Sequence, residues 1–269
     1  MVANGNGACE IWIASISEFT EHQSALDGVL TLDERAHVQH AHAGRTTATV
    51  SRGLLRLVLA RYLDLPPAEV EIDRSCPDCG RSHGRPRLVE PRRGSAASGK
   101  SKGDDPLGPP RGSAAGQDIE FSVTHGGDVL VLAFADRAPV GVDVEPVGEL
   151  DDVDPELVDF TLTAAERQRL LEVPGPERRR IFLRHWTAKE AILKALGTGL
   201  DVEPQAVTLP PFPIMGKVAV ALPGSPTVEL WIRDVEVGPA HVCMLATGHQ
   251  VPELRMARLS PSLVLGRNG

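Results

Sequence analysis

Two acidic residues two positions apart, Asp143 and Glu145, stand in the short apolar sequence Gly141-Val-Asp-Val-Glu145. Side chains alternate between the faces of a β-strand, so a strand here would place both carboxylates on one face and Val142 and Val144 on the other. Like charges this close raise each other's pKa unless a cation lies between them. Because Mg²⁺ is held by one or two carboxylates with waters and phosphates, the pattern predicts a metal site for phosphoryl-type transfer. The alternative is the solvated face of an amphipathic strand.

A second set of charged residues lies in a predicted helix over residues 177–196. Glu190 and Lys194 are four residues apart and therefore share a helix face with Trp186, and Lys189 lies beside them. An ordinary surface salt bridge is the alternative for a Lys-Glu pair taken alone. Together, the strand and the helix bring three carboxylates and two lysines to one place, which favours the metal-phosphate interpretation.

The two patterns occur in this order, and the chain thereby resembles a known family. Gly141-Val-Asp-Val-Glu145 followed by Trp186-Thr-Ala-Lys-Glu-Ala191 is similar to the paired motifs of the Sfp-type 4′-phosphopantetheinyl transferases. The resemblance runs from about Leu32 to about Met244, which is most of the chain. Three further segments agree with it: GRP at 84–86, FSVTHG at 121–126 and LTAAER at 162–167.

The resemblance implies an enzyme that transfers 4′-phosphopantetheine from coenzyme A to a serine of an acyl or peptidyl carrier protein, with release of adenosine 3′,5′-bisphosphate. Carried over residue by residue, it implies that Asp143, Glu145 and Glu190 bind Mg²⁺, or Mn²⁺, together with the pyrophosphate of coenzyme A. Glu190 would also take the serine proton, directly or through a water. The metal ion and the cationic side chains would neutralise charge on the reacting oxygens. Positioning of the two substrates would supply much of the remaining rate enhancement.

The resemblance also implies which residues contact coenzyme A. His125 and Lys194 would contact pyrophosphate oxygens, and Lys189 would bind phosphate or hold the leaving group. Arginines at the start of the long helix would hold the 3′-phosphate, although arginines that pack their stems on the core are the alternative. The set implied to bind coenzyme A is Arg45, Arg52, Arg85, Thr124, His125, Lys189 and Lys194, with Arg85 near the nucleotide and Thr124 where many members have serine.

Composition limits the class of protein without identifying it. The 269 residues carry a net charge of −8, which argues against nucleic-acid binding by charge. No apolar run approaches about 18 residues, so no membrane span is expected. The N-terminal residues lack the basic and apolar regions of a signal peptide, and four cysteines do not indicate a disulfide framework. A cytoplasmic location is expected, and the resemblance implies a monomer.

One short segment has the residue types of a zinc site. Cys76, Cys79 and His83 offer three candidate ligands in eight residues. A structural zinc site normally needs four ligands, and the alternative is a tight turn leading into Gly84. A zinc-containing, non-catalytic interaction protein is therefore an alternative function. Another Mg²⁺-dependent phosphoryl-transfer enzyme is a further alternative, although the chain has no Gly-x4-Gly-Lys-Ser/Thr loop.

The order of predicted elements indicates an α+β fold with two similar α/β halves. The resemblance implies the pseudo-twofold arrangement of the family, with the active site between the halves. The predicted N-terminal half covers residues 1–90, and the half with the metal site covers 118–269. Residues 91–117, rich in Gly, Pro and Ser, are predicted to be a flexible insertion. Strands at 119–124, 129–135 and 140–145 are predicted to form an antiparallel meander because their turns are short. The carrier, whether of fatty-acid, polyketide or non-ribosomal peptide synthesis, is left open.

Overall fold

The structure is a computed structural model, and it describes residues 8–41, 44–76, 79–80, 84–89, 119–148, 153–211, 213–222, 224, 226–252 and 254–266. The strands are β1 Cys9–Ser15, β2 Ile72–Asp73, β3 Arg87–Leu88, β4 Ile119–Gly126, β5 Val129–Asp136, β6 Val140–Pro146, β7 Gly216–Val220, β8 Val228–Asp234, β9 His241–Thr247 and β10 Leu254–Arg258. The α-helices are α1 Gln23–Val29, α2 Leu32–Val38, α3 Arg45–Leu63, α4 Pro155–Thr161, α5 Ala164–Leu171, α6 Gly175–Leu196 and α7 Pro261–Val264.

The chain divides into two compact units, each of which is named here after its long helix. The α3 unit comprises the described residues of Ala8–Val123, Asp128–Arg137 and Leu254–Gly269. The α6 unit comprises those of Thr124–Gly127 and Ala138–Glu253. Each unit contains a four-stranded sheet and a long helix, which establishes a mixed α+β fold.

The sheet of the α3 unit has the strand order β10-β1-β5-β4. β1 pairs antiparallel with β5 and parallel with β10, and β2 and β3 form a separate antiparallel ribbon. α3 packs on this sheet through Val58 and Tyr62, whose hydroxyl accepts a hydrogen bond of 2.9 Å from Trp12 Nε1. The Tyr62 ring also lies 4.7 Å from that of Phe134, measured between centroids. Burying these aromatic side chains makes α3 part of the core of its unit.

The sheet of the α6 unit has the strand order β6-β9-β8-β7, and all its neighbours are antiparallel. α6 packs along β6 and β9 and buries an apolar face that includes Ala188, Ile192 and Ala195. The helix ends at Gly197, whose backbone is left-handed (φ 76°) and whose N–H closes the last turn on Leu193 and Lys194. Glycine is favoured at that position because it has no Cβ to strain the backbone.

Several local sequence patterns have the structure that they predict. The sequences Thr31-Leu-Asp-Glu34 and Thr163-Ala-Ala-Glu166 predict capping boxes, and these form at the starts of α2 and α5. The segments 218–222, 228–237 and 242–247 predict strands, which correspond to β7, β8 and β9 of one sheet. The first capping box predicts a helix to about residue 43, but α2 ends at Val38.

The predicted meander is wrong. β4 and β5 are neighbours in the sheet of the α3 unit, but β6 pairs with β9 in the other sheet. Pro139 precedes β6 and has no backbone N–H that could donate a hydrogen bond to a neighbouring strand. Its carbonyl oxygen instead accepts a hydrogen bond of 2.9 Å from the amide of Gly248. The short turn therefore leads the chain from one sheet into another.

Some predictions about organisation are not tested by these features. The insertion at 91–117 lies outside the described residues, and the boundaries of the two halves and their pseudo-twofold relation stay predictions. Among the described helices, none combines the length and the apolar composition that crossing a bilayer would require.

Candidate active site

The close crossing of α6 over β6 places the charged residues of both elements near one another. A Cβ added to Gly141 in β6 would lie 2.5 Å from the amide nitrogen of Ala195 and would also collide with the carbonyl oxygen of Ala191. Glycine in a strand often marks such a close approach of two backbones. Gly141 therefore sets the spacing between the carboxylate strand and the face of α6 that carries Glu190 and Lys194.

Replacing this glycine tests that role. We expect Gly141→Ala to lower the free energy of unfolding by about 1–3 kcal/mol, because the added methyl group must push β6 and α6 apart. Urea unfolding measures the change. The matched control is Gly175→Ala at the first residue of α6, where no other described residue has an atom within 4 Å of the new Cβ. Equal stability of the two variants would contradict the close-approach argument.

Asp143 is at the centre of the charged cluster and is only 5% exposed. Its Oδ1 accepts hydrogen bonds from Lys194 Nζ at 2.6 Å and from Thr124 Oγ1 at 3.0 Å. Its other oxygen, Oδ2, is buried and has no hydrogen-bond partner among the described residues. A buried carboxylate oxygen without a partner is costly, so Oδ2 of Asp143 is available as a ligand for a cation.

Glu145 and Glu190 complete the predicted set of three carboxylates. Glu145 Oε1 accepts a hydrogen bond of 3.2 Å from Trp186 Nε1, whereas Glu190 Oε1 is buried without a partner among the described residues. Burial, and next the negative charge of Asp143, raise the pKa of Glu145 and that of Glu190. The structure therefore brings together the three carboxylates that the sequence singled out.

The chemistry of this cluster fits a divalent cation. Three carboxylates interact with the charge of Lys194, and Arg179 also acts on Glu145, so the cluster is net negative when all three are ionised and would attract a divalent cation. Within the described residues, no three or more His, Cys, Asp or Glu side chains are placed to hold an ion by themselves. Mg²⁺ does not need such a group, because it takes one or two carboxylates and completes its shell with waters and phosphates. The unpartnered oxygens of Asp143 and Glu190 are the ligands available to it.

Lys194 and His125 are the potential hydrogen-bond donors of the cluster. Lys194 Nζ contacts Asp143 and the carbonyl oxygen of Val142, and its side chain is 28% exposed. His125 is exposed at the end of β4. Partial desolvation, and next the Lys194 charge, lower the pKa of His125. A lowered pKa makes the imidazole neutral at pH 7, so it can donate a hydrogen bond to a phosphate without adding charge.

The structure places Lys189 differently from the prediction. Its side chain is fully buried, and Nζ donates to Glu166 Oε2 at 2.7 Å and to the carbonyl oxygen of Thr161 at 2.8 Å. Glu166 also accepts from the backbone amides of Thr163 at 2.8 Å and Leu209 at 2.9 Å. A contact between Lys189 and a phosphate would require the amine to leave both of its partners.

Comparison with known proteins identifies the family to which this cluster belongs. Residues 139–222, which include the whole carboxylate set, match the sequence model of the 4′-phosphopantetheinyl transferase superfamily. The chain is 26% identical over 192 residues to the 4′-phosphopantetheinyl transferase HetI of Nostoc sp. (strain PCC 7120), which covers 71% of this chain and 69% of that relative. The segment that holds the carboxylate cluster therefore matches the 4′-phosphopantetheinyl transferase superfamily.

Two further relatives agree with the assignment of this chain as a transferase. A phosphopantetheinyl transferase of Thraustochytrium sp. (strain ATCC 26185 / S-3) is 25% identical over 262 residues, covering 91% of this chain and 81% of the relative. The 4′-phosphopantetheinyl transferase psf-1 of Bacillus pumilus is 36% identical over 83 residues, covering 31% of this chain and 34% of the relative. The protein is therefore an enzyme of the phosphopantetheinyl transferase class.

The remaining predicted coenzyme A residues of the transferase lie in the α3 unit. Arg45 is exposed at the first residue of α3, and Arg52 is half-buried two turns later on the same helix. Arg85 Nη2 donates to Glu120 Oε2 at 3.0 Å. Their predicted contacts with the nucleotide stay predictions. In the α6 unit, Thr124 was predicted to contact coenzyme A, and its hydroxyl donates to Asp143.

Two features of the transferase site were not predicted from the sequence. Trp186 was predicted only to share a helix face with Glu190 and Lys194, whereas its indole N–H donates a hydrogen bond to Glu145. Glu166 was predicted only as a capping residue, whereas it also pairs with Lys189. A buried indole N–H needs a hydrogen-bond acceptor. The Trp186 motif, read together with the strand that carries Glu145, could therefore have indicated the hydrogen bond between these two residues.

The zinc hypothesis stays a prediction for this transferase. Cys76 is half-buried and Cys79 is exposed, and His83 lies outside the described residues.

Proposed function

We propose that this transferase moves the 4′-phosphopantetheine arm of coenzyme A to a serine of an acyl or peptidyl carrier protein, with Mg²⁺ or Mn²⁺, and releases adenosine 3′,5′-bisphosphate. The observation that supports this most is the cluster of Asp143, Glu145 and Glu190, in which one oxygen of Asp143 and one of Glu190 are buried without a partner among the described residues. A cation that also binds pyrophosphate would satisfy both oxygens.

The proposed reaction exchanges one phosphorus–oxygen bond for another. The serine oxygen of the carrier attacks the phosphorus that bears pantetheine, and the bond from that phosphorus to the bridging oxygen breaks. The bridging oxygen leaves with adenosine 3′,5′-bisphosphate. Glu190 takes the serine proton, directly or through a water. Burial and the Asp143 charge raise the pKa of Glu190, which makes it a stronger base than an ordinary carboxylate.

Each residue of the cluster has a proposed task. Asp143 and Glu190 would hold the cation through their unpartnered oxygens, with Glu145 beside them, and the bound cation would neutralise charge on the pyrophosphate oxygens. Lys194 and His125 would contact the same oxygens as donors. Thr124 and Trp186 keep Asp143 and Glu145 in their orientations through the hydrogen bonds already described.

Other parts of the proposal rest on the sequence. Contacts of Arg45, Arg52 and Arg85 with the nucleotide follow from the resemblance, as do the carrier classes of fatty-acid, polyketide and non-ribosomal peptide synthesis. A monomeric state, a cytoplasmic location and a pseudo-twofold arrangement with the active site between the halves also stay predictions.

The function is tested by mass spectrometry of candidate carrier proteins incubated with the enzyme, coenzyme A and Mg²⁺. We expect a carrier to gain one phosphopantetheine arm, and a carrier with its target serine replaced by alanine to gain none. Excess EDTA should stop the reaction and added Mg²⁺ should restore it, because the carboxylate cluster needs a cation to bind pyrophosphate. Modification that continues at the same rate in excess chelator would refute the metal assignment.

A further inference from the structure

The ammonium group of Lys194 is held by the strand that carries two of the carboxylates. Its Nζ donates to Asp143 Oδ1 at 2.6 Å and to the carbonyl oxygen of Val142 at 3.3 Å. The side chain of Asp143 is 7% exposed, so salt and solvent screen this ion pair weakly. Charge-assisted hydrogen bonds of this length are among the stronger ones in proteins. Lys194 therefore already neutralises the carboxylate whose other oxygen is available to a cation.

A divalent cation at Asp143 would have to share the carboxylate with Lys194. Oδ1 accepts from Lys194 Nζ and from Thr124 Oγ1, whereas Oδ2 has no hydrogen-bond partner among the described residues. Because both oxygens belong to one carboxylate, a cation on Oδ2 would lie close to the ammonium group. Like charges repel, and the repulsion is larger in a partly buried place than in water. Lys194 therefore weakens the binding of a metal ion to the carboxylates alone.

A pyrophosphate group would reverse this effect. Lysine carries a compact charge on a flexible four-carbon stem, and the Lys194 side chain is 28% exposed, so its end can turn towards a ligand. An anion that contacts both the metal ion and Lys194 would attract both cations and offset their mutual repulsion. The hydrogen bond from Thr124 Oγ1 would still hold Asp143 when Lys194 turns away. The same lysine would thus oppose metal binding without pyrophosphate and favour it with pyrophosphate.

We propose that Lys194 couples the binding of the metal ion to the binding of coenzyme A. The carboxylates bind Mg²⁺ or Mn²⁺ weakly by themselves, and they bind it tightly when the pyrophosphate of coenzyme A draws Lys194 from Asp143. Such coupling is reciprocal, so the metal ion raises the affinity for coenzyme A by the same factor. The proposal rests on the proposed function for the identity of the anion. It adds control of metal affinity to the task of Lys194 as a hydrogen-bond donor to phosphate.

Binding of Mn²⁺ to the enzyme without a carrier, followed by the electron paramagnetic resonance signal of the free ion, tests the coupling. We expect the wild type to bind Mn²⁺ about tenfold more tightly, or more, in saturating coenzyme A than without it. Lys194→Gln removes the charge and keeps a polar side chain. It should bind Mn²⁺ alone about tenfold more tightly than the wild type, and coenzyme A should raise its affinity by a smaller factor. A titration of coenzyme A without enzyme corrects for the ion that the free ligand binds.

Two further variants separate the charge of Lys194 from its shape. Lys194→Arg keeps the positive charge, so its affinity for Mn²⁺ alone should stay close to that of the wild type. The matched control, Lys217→Gln, removes an exposed lysine of β7 that pairs with Glu229. It should leave the binding of Mn²⁺ unchanged with and without coenzyme A.

Melting temperature provides a second readout, which a purely structural lysine would not reproduce. In EDTA, Lys194→Gln should melt lower than the wild type, because Asp143 loses its ion pair among carboxylates that repel one another. Mn²⁺ alone should then raise the melting temperature of Lys194→Gln more than that of the wild type, because it binds the variant more tightly. A structural role would lower the melting temperature without increasing the response to Mn²⁺.

The outcomes separate the coupling from the function. Lys194→Gln that binds Mn²⁺ alone no more tightly than the wild type would overturn the proposal, and so would Lys194→Arg with the metal affinity of Lys194→Gln. A wild type that binds Mn²⁺ equally with and without coenzyme A would also overturn it, while carrier modification in Mg²⁺ would show that the proposed function stands. If the wild type bound no coenzyme A and modified no carrier, the proposed function and the coupling would both fail. Tighter binding of Mn²⁺ alone by Lys194→Gln would then establish only the repulsion between Lys194 and the metal ion.

Discussion

Asp143→Asn should slow carrier modification by about 10²- to 10³-fold while the fold keeps its stability. The substitution removes the charge that accepts from Lys194 and leaves the shape of the side chain unchanged. Losing one preorganised electrostatic contact at a reacting centre has an effect of this size. Rates measured by mass spectrometry at saturating coenzyme A and Mg²⁺ give the loss in kcat.

The stability should change little because the Asp143 charge is partly unfavourable in the folded state. It raises the pKa of Glu145 and that of Glu190, which means that the three carboxylates repel one another. Removing it relieves that repulsion and offsets the loss of the pair with Lys194. Urea unfolding without metal should therefore give a free energy close to that of the wild type.

A matched substitution separates the two effects. Asp201→Asn changes an exposed aspartate of the same unit and should leave both rate and stability unchanged. If Asp143→Asn modified carriers at the wild-type rate, Asp143 would not belong to the reacting site. If its rate and its unfolding free energy fell together, the role of Asp143 would be structural.

The part of the candidate site that can be predicted from the sequence follows from local periodicity. Alternation along β6 places Asp143 and Glu145 on one side, and the four-residue spacing in α6 places Glu190 and Lys194 on one face. Capping boxes at Thr31 and Thr163 are equally local, and both are confirmed. These features need no knowledge of distant parts of the chain.

The pairing of strands that are distant in sequence could not be predicted from local periodicity. The strand β10 lies parallel to β1, and β6 lies beside β9, although long stretches of chain separate the partners. An alternating pattern shows that a strand has an apolar face, but it does not name the strand next to it. Short turns favour hairpins, and the Pro139 turn departs from that rule. The meander prediction failed for this reason.

The prediction that grouped Lys189 with Glu190 and Lys194 did not take into account the direction of each side chain around the helix. Successive residues of an α-helix point about 100° apart, so Lys189 cannot share a direction with Glu190. Of these charged residues, Glu190 and Lys194 lie on the face that meets β6. Lys189 points instead towards Thr161 and Glu166.

Glu166→Ala should be the most destabilising of the substitutions considered for this fold. It would leave the buried ammonium of Lys189 with only the carbonyl oxygen of Thr161, and would leave the buried amide of Leu209 without its acceptor. Breaking one side of a buried ion pair costs about 3–5 kcal/mol. The control, Arg167→Ala in the same helix as Glu166, removes an exposed ion pair with Asp159 of α4 and should cost at most about 1 kcal/mol.

A double variant decides whether the buried pair is structural or serves the substrate. Replacing both partners, by Glu166→Leu with Lys189→Met, removes the unpaired charge and should recover much of the stability lost in Glu166→Ala, since apolar residues of similar volume replace buried pairs well. The amide of Leu209 still lacks an acceptor, so recovery should be incomplete. If Lys189 bound phosphate, Lys189→Met would instead raise the KM for coenzyme A at unchanged stability. A Glu166→Ala variant as stable as Arg167→Ala would show that the pair does not hold α5 and α6 together.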